Sequence, residues 1–372
     1  MHRFLWIVLL LGLVAFAYLT SIDEAIRPEV AAALKPPPES VPRERNLFFG
    51  LLGAATQGSE SVAERGQALW KRHQAVDPAS GHKLIDPSDQ LAIKGDTRLL
   101  CDFHGEPDQR PCTEKLRANA AAVRSVVEEN TPLIDRYVQL RAFPEFQNLE
   151  QYRSEGEILP WQAMLSGRKL QLARIVLDTP TTDPEPIVRD WQVDMSFWHR
   201  FFEQANEQLI DKMVATAGVK GNFILAGELL RQGRLSPAQI VQLETGLAPF
   251  EGKSLSLRPA MAGELRFQVT VVDSLRDAGL NELLNLKHRL PDWLSDGLAR
   301  FLYLPNATIN AQHDAMLEGL AARDAPDCSA PGTGERAGKA KMGLRHLIHN
   351  PVGNMMADIS GPSFDAYVDR LC

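Results

Sequence analysis

The sequence predicts a mainly α-helical protein, with an N-terminal transmembrane helix followed by an extramembrane multi-helix domain of α-hairpins. Three observations lead to this fold class. Residues 4–19 are apolar and uncharged, and Leu, Ala, Glu, Gln and Arg fill most later segments. Between residues 113 and 245, apolar side chains recur at helical spacing, whereas strand-like alternation is scarce.

Residues 4–19 are predicted to anchor the chain in a lipid bilayer. As a helix they span about 24 Å, slightly less than the roughly 30 Å of a bilayer core. Trp6 and Tyr18 lie near the two ends, where aromatic rings favour the membrane interface. A cleaved signal peptide is the alternative, because residues 15–17 (AFA) fit a cleavage site. The apolar run continues past that site, which favours a signal anchor over residues 1–20.

The composition limits the classes of partner. The chain has 372 residues, of which 44% are hydrophobic, enough for one large or two medium domains. A net charge of −7 and a pI near 5.8 argue against a nucleic-acid partner, which requires a basic footprint. We therefore expect no nucleic-acid binding.

Four cysteines, Cys101, Cys112, Cys328 and Cys372, suggest disulfides beside an export signal. Sequence proximity favours Cys101–Cys112 and Cys328–Cys372; four thiols in a reducing compartment are the alternative. Disulfides indicate an oxidising compartment. Because basic residues flank the apolar segment almost equally, the cysteines decide the expected orientation. We expect a single-pass protein of the bacterial inner membrane with its domain in the periplasm.

The segment between the anchor and the domain is rich in proline. Residues 21–45 contain Pro36-Pro37-Pro38 and Pro42, which favour an extended spacer. A loop packed on the domain is the alternative. The helical domain is predicted over residues 46–372, with a possible sub-boundary near residues 178–190, where Pro and Asp are frequent.

Helical periodicity divides the domain into segments. The pattern predicts helices over 60–75, 113–129 and 131–140, the last two forming an antiparallel hairpin with Thr131 as N-cap. Further helices are predicted around residues 161–176, 191–213, 223–230 and 237–243. Gly218 and Gly221 are predicted to break the chain between two of them. The β-branched stretch 265–272 is predicted as helix because its neighbours favour helix.

Two motifs resemble catalytic or cofactor signatures without meeting their requirements. Gly252-Lys253-Ser254 resembles the end of a phosphate-binding loop but lacks the upstream Gly and the preceding strand, so Ser254 is predicted to cap a helix. Ser166 and Lys169 match S-x-x-K, whose companion K-T-G is absent. The sequence therefore predicts no cofactor.

Metal sites are also disfavoured. Cys101 and Cys112 with His104 lack a fourth ligand, and a disulfide explains the two cysteines better. His346 and His349 could share a helix face, but no H-E-x-x-H motif is present. No metal ligand is predicted.

No characterised family can be read from these residues. The favoured hypothesis is a helical binding or scaffold domain whose partner is another envelope protein. The alternative is a membrane-tethered hydrolase of an envelope polymer or peptide, using Asp292, Asp296 or His346. The spacing of Asp292 and Asp296 with Arg300 fits an exposed helix face equally well.

Overall fold

The protein is described by a computed structural model over residues 22–58, 60–75, 84–86, 88–101, 111–150, 159–180, 182–250, 252–275 and 290–321. Contacts group the chain into two units. Unit 1 draws on residues 1–37, 151–156 and 256–372, and unit 2 on residues 38–150 and 157–255. The predicted sub-boundary near residues 178–190 falls within unit 2. The predicted anchor at residues 4–19 lies outside the described residues.

Both units are helical, which confirms the predicted mainly α class. In chain order the helices are α1 (Pro28–Ala33), α2 (Leu47–Ala54), α3 (Val62–Gln74), α4 (Cys112–Ala118), α5 (Ala120–Glu129), α6 (Thr131–Leu140), α7 (Trp161–Asp178), α8 (Glu185–Gln204), α9 (Leu209–Arg231), α10 (Pro237–Gly246), α11 (Gly252–Leu255), α12 (Arg258–Ser274), α13 (Asp292–Leu302) and α14 (Pro305–Ala321). Unit 2 holds α2–α11. Across the described ranges, β structure is limited to two isolated bridges.

Helices α2 and α3 pack together as a hairpin at the start of unit 2. The Asn46 side chain accepts a hydrogen bond from the Phe48 amide, which satisfies one unpaired donor at the start of α2. All eight residues of α2 are buried. Ser61 caps α3 in the same way, and the predicted inward residues Val62, Leu69 and Trp70 are buried. The predicted helix over 60–75 is thus confirmed within two residues at each end.

The predicted hairpin of residues 113–129 and 131–140 is not formed. Asn119 leaves helical geometry, so α4 and α5 are separate helices, and α5 and α6 each pack against α7. Asn130, rather than Thr131, is the N-cap residue of α6. The Asn130 side chain bonds both backbone groups of Lys94, over 2.8 and 3.0 Å, and so holds a distant loop at this junction.

Helices α8 and α9 form the central hairpin of unit 2. The predicted continuous stripe over residues 191–213 is divided, because α8 ends at Gln204 and α9 begins at Leu209. Gly218 and Gly221 do not break the chain as predicted; both are buried inside α9. Gly218 lies against the Trp198 indole, so the absence of a side chain permits close helix packing rather than ending a helix.

Helix α9 is the one described helix long and apolar enough to cross a membrane. Its most apolar window is 61% buried, as expected for the core helix of a folded domain.

The proline-rich entry to unit 2 is tied to the domain by one side chain. Gln147 donates from Nε2 to the Pro38 carbonyl over 2.8 Å, and its Oε1 accepts from the amides of Ser40 and Val41. The Gln147 backbone in turn bonds the side chain of Asn46. Residues 38–41 therefore adopt the packed-loop alternative to a free spacer.

Unit 1 is built on α12, which packs against α1 and α14. Residues 265–272 lie within α12, so the prediction of helix there is confirmed. Asp23 accepts hydrogen bonds from the amides of Asn306 and Ala307, at 2.9 and 3.0 Å. This carboxylate satisfies donors in the first turn of α14, where negative charge is also favoured by the helix dipole.

Candidate binding surface

One of the two predicted disulfides, Cys101–Cys112, is present in the structure. Cys101 and Cys112 are bonded, with their Cα atoms 5.5 Å apart. Cys112 opens α4, and the Glu228 carboxylate accepts from the amides of Cys112 and Thr113, over 2.8 and 3.3 Å. The disulfide is thereby fixed to α9. Cys328 and Cys372 lie outside the described residues.

Two of the three residues considered for catalysis lie in the described part of the chain. Asp292 and Asp296 lie exposed on α13 of unit 1, whereas His104, His346 and His349 lie outside the described residues. Ser254 is inside α11 rather than capping a helix. In the described part of the chain, no group of three His, Cys, Asp or Glu side chains could hold a metal ion.

Ser166 of the S-x-x-K match is 4% exposed within α7. Its Oγ accepts a hydrogen bond from the Gln162 amide over 3.2 Å. A serine nucleophile requires an adjacent base, and an amide cannot take the hydroxyl proton. The local arrangement thus provides hydrogen bonding and not nucleophilic catalysis.

A buried polar network joins α6, α7 and α8. Asp194 accepts from the Tyr137 hydroxyl and from Nε of Arg168, the latter over 3.1 Å. The Trp198 indole donates to the Tyr137 oxygen over 3.0 Å. Burial raises the pKa of Tyr137 well above its ordinary value, and the Asp194 charge raises that pKa further. The phenol therefore stays protonated and serves as a hydrogen-bond bridge.

A second ion pair continues this network toward the surface. Arg141 donates to Asp190 over 2.9 Å and lies 3.9 Å from Asp194. Burial lowers the pKa of Arg141, but the carboxylates of Asp190 and Asp194 outweigh burial and raise that pKa above its ordinary value. Two guanidinium groups thus face two carboxylates. Such charge balance is typical of a structural ion-pair network and not of a proton-transfer pair.

Asn222 connects the network to α9. Its Oδ1 accepts from Arg168 over 2.9 Å, and its carbonyl accepts from the Trp191 indole over 2.9 Å. Its Nδ2 is buried and meets no acceptor among the described residues. A cavity of about 20 Å³ adjoins Asn222, Asp190 and Asp194, which is room for about one water molecule. This cavity is too small for an organic ligand.

Lys212 is fully buried beside the end of α8. Its Nζ donates to the carbonyls of Phe202 and Ser254, over 2.7 and 2.6 Å, and lies 3.9 Å from the centroid of the Phe202 ring. Burial lowers the pKa of Lys212 from 10.5 to about 8. A lysine of lowered pKa can act as a nucleophile, but this one has no surface through which a substrate could reach it.

A larger cavity of about 210 Å³ lies elsewhere in unit 2, between the segment 90–93 and the first turns of α7. We call it the neutral pocket, because its ten lining residues include no Asp, Glu, Lys, Arg or His. Leu133 and Ser166 form its buried floor, while Gln90 and Ala92 are exposed at its rim.

One helix face in unit 2 exposes large apolar side chains. Phe223 and Leu230 of α9, within the helix predicted around residues 223–230, are 44% and 45% exposed. Lys220, Phe223, Gly227 and Leu230 share one side of the helix, since they recur at intervals of three and four residues, and Arg231 adjoins them four residues after Gly227. We call this side the α9 outer face. Its apolar centre is flanked by a basic residue at each end.

Comparison with known proteins returns no relative: neither a protein-family model, nor a curated protein, nor a solved structure matches the chain. The functional argument therefore depends on the geometry described above.

Proposed function

We propose that this chain is a membrane-anchored envelope protein whose unit 2 is a protein-binding module, with the α9 outer face as the docking surface. The carrying observation is that Phe223 and Leu230 are nearly half exposed on a helix whose opposite side forms the core. Contiguous exposed apolar side chains rimmed by polar residues are typical of protein interaction surfaces.

The charges on this face specify the partner's chemistry. Lys220 lies about two turns before Gly227, the centre of the apolar stripe, and Arg231 lies about one turn after it. Neither forms an ion pair within the described ranges, although the whole chain carries a net charge of −7. A partner with an apolar segment flanked by acidic residues complements this arrangement. Its large side chains would bury Phe223 and Leu230.

The ionic network of unit 2 supports binding over catalysis. Its carboxylates and guanidinium groups lie opposite each other inside the helix bundle, and its phenol stays protonated. These bonds fix α6, α7, α8 and α9 relative to one another. A rigid set of helices presents a preformed surface, which lowers the entropy cost of association.

Photo-crosslinking from the α9 outer face tests this function. A photoreactive phenylalanine replaces Phe223 in the full chain in its native membrane, and the matched control carries the same residue at Val241 of α10, which is 58% exposed. We expect a discrete protein adduct from position 223 alone. Combining Lys220→Glu with Arg231→Glu should reduce the adduct about tenfold, because both flanking charges are reversed. Equal adduct yields from both positions, or a yield that charge reversal does not change, would refute the α9 outer face as the docking surface.

The anchored topology is tested separately. A reporter that is active only in the cytoplasm, fused after Cys372, should be silent if the domain lies in the periplasm. Strong reporter activity would place the domain on the cytoplasmic side and contradict the proposed envelope location. The crosslinking experiment would still test the docking surface in that case.

A further inference from the structure

The neutral pocket has the dimensions of a small-molecule site. Its volume of about 210 Å³ exceeds the roughly 150 Å³ of an apolar protein cavity that binds benzene. One six-membered ring with a short substituent fills such a space. The apolar walls come from Leu91, Ile93, Leu133 and Ala163, which offer dispersion contacts on several sides.

The lining also defines the charge of the ligand. Because none of the ten described lining residues is charged, an ionised ligand would lose its hydration without gaining a counter-charge from them. An uncharged molecule avoids that cost. The exposed positions of Gln90, Ala92 and Gln162 open the pocket to solvent, so a ligand can enter without unfolding of the surrounding helices.

Ser166 supplies one directional contact at the floor. Its hydroxyl oxygen accepts from Gln162, but no acceptor in the described part of the chain takes its hydroxyl proton. A serine hydroxyl can both donate and accept, so this buried residue retains one donor for a ligand oxygen. The pocket thus combines apolar walls with one buried hydroxyl donor, in addition to the amides of Gln90 and Gln162 at its exposed rim.

We propose that the neutral pocket binds one small uncharged molecule that has a compact apolar body and one oxygen acceptor bonded by Ser166. This site is lined by residues of the segment 90–93, α6 and α7 together with Ala55 and Pro160, and by none of α9. The proposal therefore stands independently of protein docking on the α9 outer face.

Methyl-labelled full-length protein in lipid nanodiscs allows a direct test with benzyl alcohol as the probe. We expect saturable chemical-shift changes centred on the methyl groups of Leu91, Ile93 and Leu133. Benzoate and benzylammonium should bind at least tenfold more weakly, because the pocket contains no counter-charge. This local readout distinguishes pocket binding from partition of the probe into the lipid.

Two variants complete the test. Ser166→Ala should weaken the binding of benzyl alcohol about fivefold and leave the binding of toluene unchanged, because only benzyl alcohol can accept a hydrogen bond from the Ser166 hydroxyl. Ala163→Leu fills part of the cavity and should abolish the saturable chemical-shift changes of both probes. If this variant fails to fold, the comparison of benzyl alcohol with toluene in Ser166→Ala tests the proposal instead. Absence of saturable shifts at millimolar benzyl alcohol, equal binding of the charged analogues, or an equal effect of Ser166→Ala on toluene would overturn the proposal.

Discussion

Gly218 of α9 lies against the indole of Trp198 in α8, so closely that an added Cβ would stand 1.9 Å from Cε3 of the ring. Trp198 is fully buried and bonded to Tyr137, so it has little room to move. Gly218→Ala should therefore destabilise the protein by about 1–3 kcal/mol through overpacking, despite the better helix propensity of Ala. Chemical denaturation of the full chain measures this loss.

Gly227 provides the matched control on the same helix. A Cβ there would meet only Nη1 of Arg231, at 3.7 Å. Gly227→Ala should leave stability unchanged or raise it by up to about 1 kcal/mol, through helix propensity alone. Similar losses for both substitutions would contradict close packing as the reason for Gly218.

Tyr137→Phe tests the hydroxyl that bridges Trp198 and Asp194. The substitution preserves the ring but leaves the Trp198 indole N–H without its acceptor, and Asp194 loses one donor. We expect a loss of about 1–3 kcal/mol in the free energy of unfolding, since buried polar groups left unsatisfied are costly. Tyr303→Phe at the C-terminal end of α13, where the hydroxyl donates to the uncharged Val272 carbonyl rather than to a carboxylate, should cost less. An unchanged unfolding free energy for Tyr137→Phe would mean that the network does not contribute to stability.

Lys212 should make stability rise with pH on the alkaline side. Burial lowers its pKa from 10.5 to about 8, so between these values the unfolded chain binds more protons than the folded chain. The free energy of unfolding should therefore increase by about 2 kcal/mol between pH 7 and pH 9.5 from this group alone. Above pH 10 the raised pKa of Tyr137 should make the free energy of unfolding fall with pH, because the unfolded chain loses the phenol proton before the folded chain does.

Lys212→Met isolates the contribution of Lys212, because Met keeps much of the side-chain volume without a titrating group. The free energy of unfolding of the wild type, minus that of Lys212→Met, should rise from pH 8 toward pH 10. A difference that stays flat across this window would show that Lys212 keeps an ordinary pKa in the folded protein.

The Cys101–Cys112 disulfide should contribute about 3 kcal/mol, since it closes a loop over a sequence separation of 11 residues. The double variant Cys101→Ser, Cys112→Ser should lose that amount in chemical denaturation without reductant. Peptide mapping after thiol labelling provides the independent check: both cysteines should be protected in protein isolated without reductant. Full labelling of both thiols would instead support a reducing compartment.

Local signals made several elements predictable from the sequence. The Ser236 cap and Pro237 predicted the start of α10, where the structure forms a capping box with Gln239. The apolar run after Asn46 forms α2, whose cap and buried residues are adjacent in the chain. Such elements depend on neighbours within a few residues.

Other features depend on contacts between distant segments. Gly218 was predicted as a helix break, because only the position of Trp198 shows that the missing side chain permits packing. The pattern predicted a helix around residues 223–230, but periodicity cannot show that no described helix covers Phe223 and Leu230. For the ionic network one signal was present: Asp194 interrupts the apolar stripe between Trp191 and Trp198.

The hydrogen bonds that hold Pro38 and Ser254 have a mechanical consequence. These residues lie within two positions of the first and last of the points where the chain passes between the two units, and their carbonyls are bonded to Gln147 and Lys212 over 2.8 and 2.6 Å. Tension along the chain from either side is thus taken up at the ends of unit 2. Its interior helices are shielded from that load, so pulling on the protein should release these two attachments before the helix bundle yields.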